Sequence, residues 1–214
     1  QETKLHILKN NSFFVTGIDT NIGKTVVSSI LVEALNSDYW KPIQSGDLHY
    51  TDTDKVKELV NRKIILHPET YRLNNPLSPH ASAKLDNISI SLDSFQLPKT
   101  NNNLIVEGAG GLLVPINEDG DYLSDLILKF EMEVILVSKN YLGSINHTLL
   151  SITYLKSKGI SIKGIVIVGE KNESSESIIT KNTEVNILHR VPMVENVTPE
   201  FIKEQAELLK SSLN

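Results

Sequence analysis

Short apolar runs and helix-period stretches alternate along this chain. Phe13–Val15, Leu104–Val106, Val134–Val137 and Ile165–Val168 are uninterrupted apolar runs bounded by polar residues or glycine. Such runs predict strands buried on both faces, because a half-exposed strand alternates apolar with polar. Between them, apolar residues recur at spacings of three and four: Val26, Val27, Ile30, Leu31 and Leu35, then Leu123, Leu126, Ile127 and Phe130, then Leu149, Leu150, Ile152 and Leu155. That stripe belongs to a helix laid on a core. A last amphipathic helix is expected over 199–212, with Phe201, Ile202, Ala206, Leu208 and Leu209 inward.

Weaker signals fill the remainder. Residues 1–11 read as an irregular polar lead-in. Asn36-Ser37-Asp38 predicts a turn before a strand through Tyr39 and Trp40, which Pro42 and Gly46 close. Asp52 and Asp54 open a helix carrying Val56, Leu59 and Val60. Residues 67–87 hold Pro68, Pro76 and Pro79 and read as a loop-rich connection with a helical turn at 80–85, followed by a short helix over Ser91–Gln96. Asp121 is expected to cap the helix of Leu123. A polar helix near 173–182 and a strand over 185–191 complete the pattern. The expectation is an α/β chain, one domain over 1–214, with a mostly parallel central sheet between two helix layers.

Composition narrows the function classes. The chain has 214 residues, of which 40% are hydrophobic, enough for a single sizeable core. A net charge of −5 argues against nonspecific nucleic-acid binding. No apolar run approaches the roughly 20 residues that span a bilayer, so no membrane partner is expected and the cytoplasm is the expected location. There are no cysteines, which excludes a disulfide framework, a thiolate nucleophile and a thiolate zinc site.

Chemistry concentrates where the first strand turns into the first helix, at Gly23-Lys24-Thr25. Strand, glycine-bearing turn, helix is the context of a phosphate-binding loop, in which consecutive N–H groups and the helix N-terminus face one anion. The fold class is therefore expected to be P-loop NTPase-like. Lys24 would reach the β/γ-phosphates of a nucleotide, and the Thr25 hydroxyl would ligate Mg²⁺. The spacing departs from G-x-x-x-x-G-K-[ST]: the place of its first glycine holds Ile18, and Gly17 lies one earlier.

Ligands of such sheets sit beyond the carboxyl ends of the strands, where Lys41–Ser45 and Glu107-Gly-Ala-Gly-Gly111 also fall. Glu107 would approach the metal opposite Thr25, and Gly108, Ala109 and Gly110 leave room for a phosphate. Asp54 is the choice for a further metal oxygen, although Asp52 lies two away and either acid also suits a helix cap. Lys41 would hold a second anion near the γ-phosphate, with Ser45 donating to it. The helix start at Gly143, Ser144, Ile145 and Asn146 suits a carboxylate and equally an ordinary cap.

Together, Thr16-Gly-Ile-Asp-Thr-Asn-Ile-Gly-Lys-Thr25, Lys41-Pro-Ile-Gln-Ser-Gly46, Glu107-Gly-Ala-Gly-Gly111 and Leu142-Gly-Ser-Ile-Asn-His147 resemble the motifs of the dethiobiotin synthetases, in that family's order. The resemblance implies an ATP- and Mg²⁺-dependent cyclo-ligase of biotin synthesis that closes a ureido ring on 7,8-diaminononanoate with CO₂. It implies a carbamate, then a carbamic–phosphoric anhydride, with ADP and phosphate released. It assigns the phosphate cradle to Asn21, Ile22, Gly23, Lys24, Thr25 and Val26, and the metal to Thr25, Asp54 and Glu107. Lys41, Thr20 and Ser45 would face the carbamate, and Gly143–Asn146 the substrate carboxylate across a homodimer interface. Pro192, Met193, Val194 and Glu195 would border the base, beside Val168 and Gly169. Where the family commonly carries an asparagine that reads adenine, this chain has Val168, which offers no amide.

Two rivals share parts of this pattern. Nucleotide-switch ATPases of the partitioning and septum-positioning type carry a lysine near the start of the loop, where this chain has Gly17-Ile18-Asp19. A cobyrinate-type amidotransferase needs a cysteine nucleophile that this chain lacks.

Overall fold

The computed structural model describes residues 12–213; the expected lead-in over 1–11 lies outside them. In chain order the elements are β1 (Phe13–Gly17), α1 (Lys24–Leu35), β2 (Ser37–Trp40), β3 (Ile43–Ser45), α2 (Asp52–Leu59), β4 (Leu66–His67), β5 (Tyr71–Leu73), α3 (Pro79–Leu85), β6 (Asn103–Gly111), α4 (Leu123–Phe130), β7 (Glu133–Lys139), α5 (Ser144–Ser157), β8 (Ile162–Val168), α6 (Glu173–Thr183), β9 (Ile187–Val191) and α7 (Pro199–Leu213). The main sheet has seven strands in the order β4-β2-β6-β1-β7-β8-β9, and every pairing between its neighbours is parallel. β3 and β5 form a separate parallel pair beside it.

The apolar runs go where their two-faced character requires. Phe14 points to one side, with Leu136, Leu126, Ile127, Ile152, Leu155 and Ile179, so α4, α5 and α6 cover that face. Phe13 and Val15 point to the other, with Val27, Ile30, Leu31, Val56, Ile202, Ala206 and Leu209, so α1, α2 and α7 cover it. Each such side chain removed from water contributes about 1.5–3 kcal/mol. β1 lies between β6 and β7, and the chain leaves it in one direction toward β2 and later crosses it from β6 to β7. That reversal puts a crevice at the carboxyl end of β1, where parallel sheets hold ligands.

Several expectations at element ends are corrected. Only Asn36 makes the turn after α1, in the left-handed region at φ 51°, and its N–H returns to Val32, so Ser37 and Asp38 already belong to β2. Glu107–Gly111 is not a turn after a strand. β6 runs through it, paired to β1 as far as Gly17 with Gly111 across a bulge. Asp121 does not cap α4. Its carboxylate accepts from Asn117 Nδ2 at 2.7 Å, while Asp125 reaches back to the Tyr122 N–H at 2.7 Å. Ser91–Gln96 holds only a 3-10 turn at Leu92–Ser94.

Backbone closeness at Gly164, in β8, gives a test of the sheet. A Cβ there would stand 2.5 Å from Leu188 Cγ and 2.8 Å from the Asn186 carbonyl. Gly164→Ala is expected to destabilise the fold by about 1–3 kcal/mol, read as a lowered midpoint in urea unfolding; an unchanged midpoint would mean β9 yields without strain.

Candidate active site

The carboxyl ends of β1, β2 and β6 bring the polar motifs together. Gly23 ends the loop in the left-handed region at φ 94°, which glycine adopts without cost. α1 begins at the next residue, so its free N–H groups face the loop's hollow. Lys24 curls back and donates to the Asp19 carbonyl at 2.8 Å. Thr25 donates to Glu107 Oε1 at 2.9 Å.

Glu107 is the hub. It is 1% exposed, and a carboxylate so enclosed needs partners for each lone pair. Oε1 accepts from Thr25 Oγ1 and from the Lys41 ammonium, each at 2.9 Å. Oε2 accepts from the Tyr39 hydroxyl at 2.9 Å. Lys41, in turn, meets Asp52 Oδ2 at 2.8 Å and the Gly108 carbonyl at 3.2 Å. Its ammonium therefore has an acceptor for each proton.

Charge separates the two lysines. Burial lowers Lys24, the nearby Lys41 ammonium lowers it further, and the group stands at about 8 despite Glu107, Asp52 and Asp19. Burial also acts against Lys41, but Glu107 and then Asp52 outweigh it and raise it above the ordinary lysine value. Burial would raise Asp52, yet the Lys41 ammonium and its hydrogen bond prevail and hold it at about 2. Tyr39 is raised well above the usual tyrosine range, first by burial and then by the Glu107 charge. At neutral pH the site thus holds two ammonium groups and a neutral phenol donor.

The acid that reaches the site is Asp52, not Asp54. The Asp54 carboxylate is spent on Thr51, accepting from its N–H at 2.9 Å and its hydroxyl at 2.8 Å, while Thr51 Oγ1 accepts from the Asp54 N–H. That capping box satisfies the first turn of α2. One position before Thr53, Asp52 turns the other way, toward Lys41, and its N–H donates to Gln44 Oε1 at 3.2 Å. The Asp54 carboxylate, expected on a metal, is thus engaged in its own helix cap, and the α2 carboxylate beside Lys41 is that of Asp52.

Other predicted residues fall around this hub. Ser45 ends β3, and its buried hydroxyl has no hydrogen-bond partner among the described residues. Thr20 is exposed on the loop, where its N–H donates to Asp19 Oδ1 at 2.7 Å. Gly108, Ala109 and Gly110 lie within β6, with Gly110 at φ 74°. Gly143 precedes α5 at φ 102°, Ser144 is buried, and Asn146 is exposed. Tyr141 leads into that helix and donates to Asp19 Oδ2 at 3.5 Å, which ties the start of α5 to the loop.

A cleft of about 160 Å³ opens on the other side of the loop. Asn21, Ile22, Gly23, Val26, Val168, Pro192, Met193 and Val194 are among its walls. Gly169 and Glu195 are not among its walls, whereas Lys139, Val191, Val197 and Phe201 are. Val168 packs within 3.2 Å of where a Gly23 Cβ would stand, so it forms the wall against the loop. Sequence reasoning missed Tyr39 at the hub. Its signal was the spacing: Tyr39 and Lys41 are two apart, hence on one side of an extended chain.

Comparison with known proteins bears on this geometry. A family model described as an AAA domain matches residues 11–201. A protein of Cytophaga hutchinsonii named ATP-dependent dethiobiotin synthetase BioD is 50% identical over 196 residues, covering 91% of this chain and 94% of its own length. One of Christiangramia forsetii with the same name is 46% identical, covering 94% and 97%, and one of Brucella ovis is 43% identical, covering 89% and 90%. Among solved structures, a putative plasmid partition protein of Borrelia burgdorferi bound to AMPPNP superposes with a TM-score of 0.57 at 12% identity, over 94% of this chain and 96% of its own. The septum site-determining protein MinD of Pyrococcus horikoshii, complexed with Mg-ADP, does so at 0.52 and 15% identity, over 94% and 89%. At such identities the likeness is one of fold.

The two acids of α2 are separable by experiment. Asp52→Asn is expected to raise the Mg²⁺ concentration for half-maximal activity by about tenfold or more. Asp54→Asn is expected to leave that concentration unchanged and to lower stability by about 1 kcal/mol through the lost cap, measured by Mg²⁺ titration and thermal unfolding of both variants. A metal shift in the Asp54 variant alone would reverse the assignment.

Proposed function

The chain belongs to the ATP-dependent dethiobiotin synthetase family, and from that premise we propose how its rim performs the reaction. The activity is enzymatic: ATP-dependent synthesis of dethiobiotin, in biotin biosynthesis. The substrates proposed are 7,8-diaminononanoate, CO₂ and ATP. The single observation that carries the reading is the Lys41 ammonium, held 2.8 Å from Asp52 and 2.9 Å from Glu107 while Glu107 also meets the first turn of α1.

One amine adds to CO₂ and loses a proton, giving a carbamate. A carbamate oxygen attacks the γ-phosphorus as the bond to the β-bridging oxygen breaks, which leaves ADP and a carbamic–phosphoric anhydride. The second amine attacks the anhydride carbonyl, phosphate departs with the C–O electron pair, and the attacking amine gives up one proton to solvent, so that each ureido nitrogen keeps one N–H. The barrier in such transfers is lowered by positioning and by neutralising charge. Lys24 and the N–H groups of Asn21 to Val26 would cradle the phosphates. Lys41 would hold the carbamate and the charge developing on it, with Thr20 and the partnerless Ser45 hydroxyl as donors beside it.

Mg²⁺ fits the oxygen donors present. Thr25, Glu107 and Asp52 would hold it, and no cage of three or more acidic, histidine or cysteine side chains exists among the described residues. Mg²⁺ takes one or two carboxylates and completes its shell with water and phosphate oxygens. When bound it would neutralise charge on the β- and γ-phosphates.

The apolar cleft lined by Val168, Pro192 and Met193 suits the base. The start of α5 at Gly143–Asn146 would receive the substrate carboxylate, with the fully exposed Leu142 beside it, and a homodimer is proposed on that account. A cytoplasmic location is proposed as well. Among the described residues no helix is long and apolar enough to cross a membrane.

Lys41→Ala is expected to lower ring closure by about 100-fold or more while ATP still binds, measured by product formation and by calorimetry. Undiminished dethiobiotin formation would remove Lys41 from its role. Val168→Asn is expected to sharpen preference for ATP over other nucleoside triphosphates by about tenfold, the value of one added hydrogen bond, read from competing kcat/KM values. No change would mean the base is read by other groups.

A further inference from the structure

We propose that Tyr39 is a positioning residue for Glu107, holding the plane of its carboxylate so that one oxygen faces the nucleotide-metal site. The inference rests on the reading of Glu107 as a metal ligand given above and adds to it a residue behind the ligand.

Tyr39 is completely buried on β2, in the apolar cluster with Val15, Ile105 and α1. In the register, Tyr39 lies beside Ile105 and Trp40 beside Val106, so Tyr39 and Lys41 share one side of β2 just as Ile105 and Glu107 share one side of β6. The strand pair therefore delivers two donors to one carboxylate. Lys41 comes from the rim onto Oε1 at 2.9 Å, and Tyr39 comes from the core side onto Oε2 at 2.9 Å. Thr25 completes Oε1 at 2.9 Å.

The two oxygens are thereby made inequivalent. A buried carboxylate held at one oxygen only can tilt and turn its plane away from the rim. With Oε2 anchored by the phenol, the plane is fixed and the other oxygen stays on Thr25 and Lys41. A phenol performs this task without adding a second positive charge, which would compete with the cation for Glu107. A core apolar residue at position 39 would pack equally well, so packing alone does not account for the hydroxyl. Groups behind a metal ligand commonly set metal affinity by 10–100-fold.

The test uses the full-length protein with Tyr39→Phe, Glu107→Gln and the double variant. Mn²⁺ affinity in the ADP complex is measured by electron paramagnetic resonance, beside the Mg²⁺ dependence of product formation and the melting temperature. Tyr39→Phe is expected to weaken Mn²⁺ by about tenfold, to raise the Mg²⁺ requirement in parallel, and to leave ADP affinity without metal unchanged. The double variant should be no weaker for Mn²⁺ than Glu107→Gln alone, because both changes act through one carboxylate. Wild-type Mn²⁺ affinity in Tyr39→Phe, whatever its melting temperature, would overturn the proposal, as would additive losses in the double variant. If Glu107→Gln itself binds Mn²⁺ normally, the reading of Glu107 as a ligand fails and the role of Tyr39 falls with it. A shift in Glu107→Gln without one in Tyr39→Phe refutes Tyr39 alone.

Discussion

One buried carboxylate organises the rim. Moving Glu107 out of water is expensive by several kcal/mol unless its charge and lone pairs are met. They are met by donors from separate parts of the chain: Thr25 in the first turn of α1, and Lys41 and Tyr39 at the end of β2. Losing one partner of such a group costs more than the bond was worth, because the remainder stays buried and unsatisfied. The same arrangement that closes the fold at this point therefore fixes Lys41, Thr25 and Asp52 relative to the loop. Stability and catalysis here share a single electrostatic constraint.

That constraint also divides labour between the lysines. Both are buried, and burial alone would lower both. Lys41 has Glu107 and Asp52 against it and is raised, whereas Lys24 has a carbonyl as hydrogen-bond partner, feels Lys41, and stands at about 8. Lys41 is thus a fixed charge. Lys24 is the one whose positive charge is held less firmly, and an anion placed in the loop would stabilise it. A triphosphate supplies that anion, so the loop's energetic deficit favours nucleotide binding.

The strands and helices were legible because their patterns are long and two-faced. Phe13–Val15 and Val134–Val137 have no polar face to place, so a parallel sheet between helices was the only economical arrangement. Boundaries were less legible. Glu107–Gly111 reads as a turn because its glycines are flexible, but pairing with β1 across a bulge keeps it extended. β4 and β5, at two and three residues, are too short to show any period. At the site, the phosphate loop and the lysines were readable from motif and spacing. The choice between Asp52 and Asp54 was not, since it turns on which carboxylate closes the box with Thr51. Tyr39 was passed over because an aromatic ring in a buried strand is readily put down to packing, although its spacing from Lys41 set both on one side of the chain.

The fold alone does not separate a synthetic enzyme from a nucleotide switch. The Borrelia and Pyrococcus structures share the sheet at 12% and 15% identity, and a shared scaffold carries no chemistry by itself. What distinguishes this chain is the end of β2. A switch needs a triphosphate and a partner surface, whereas here Lys41 forms a buried ion pair with Asp52 and Glu107 beside the phosphate loop. The cleft on the other side of the loop, by contrast, is mostly apolar, with Asn21 and Lys139 its polar side chains. Charged side chains are thus concentrated at the ends of β1, β2 and β6, where Lys41, Asp52 and Glu107 meet, and are sparse in the apolar cleft.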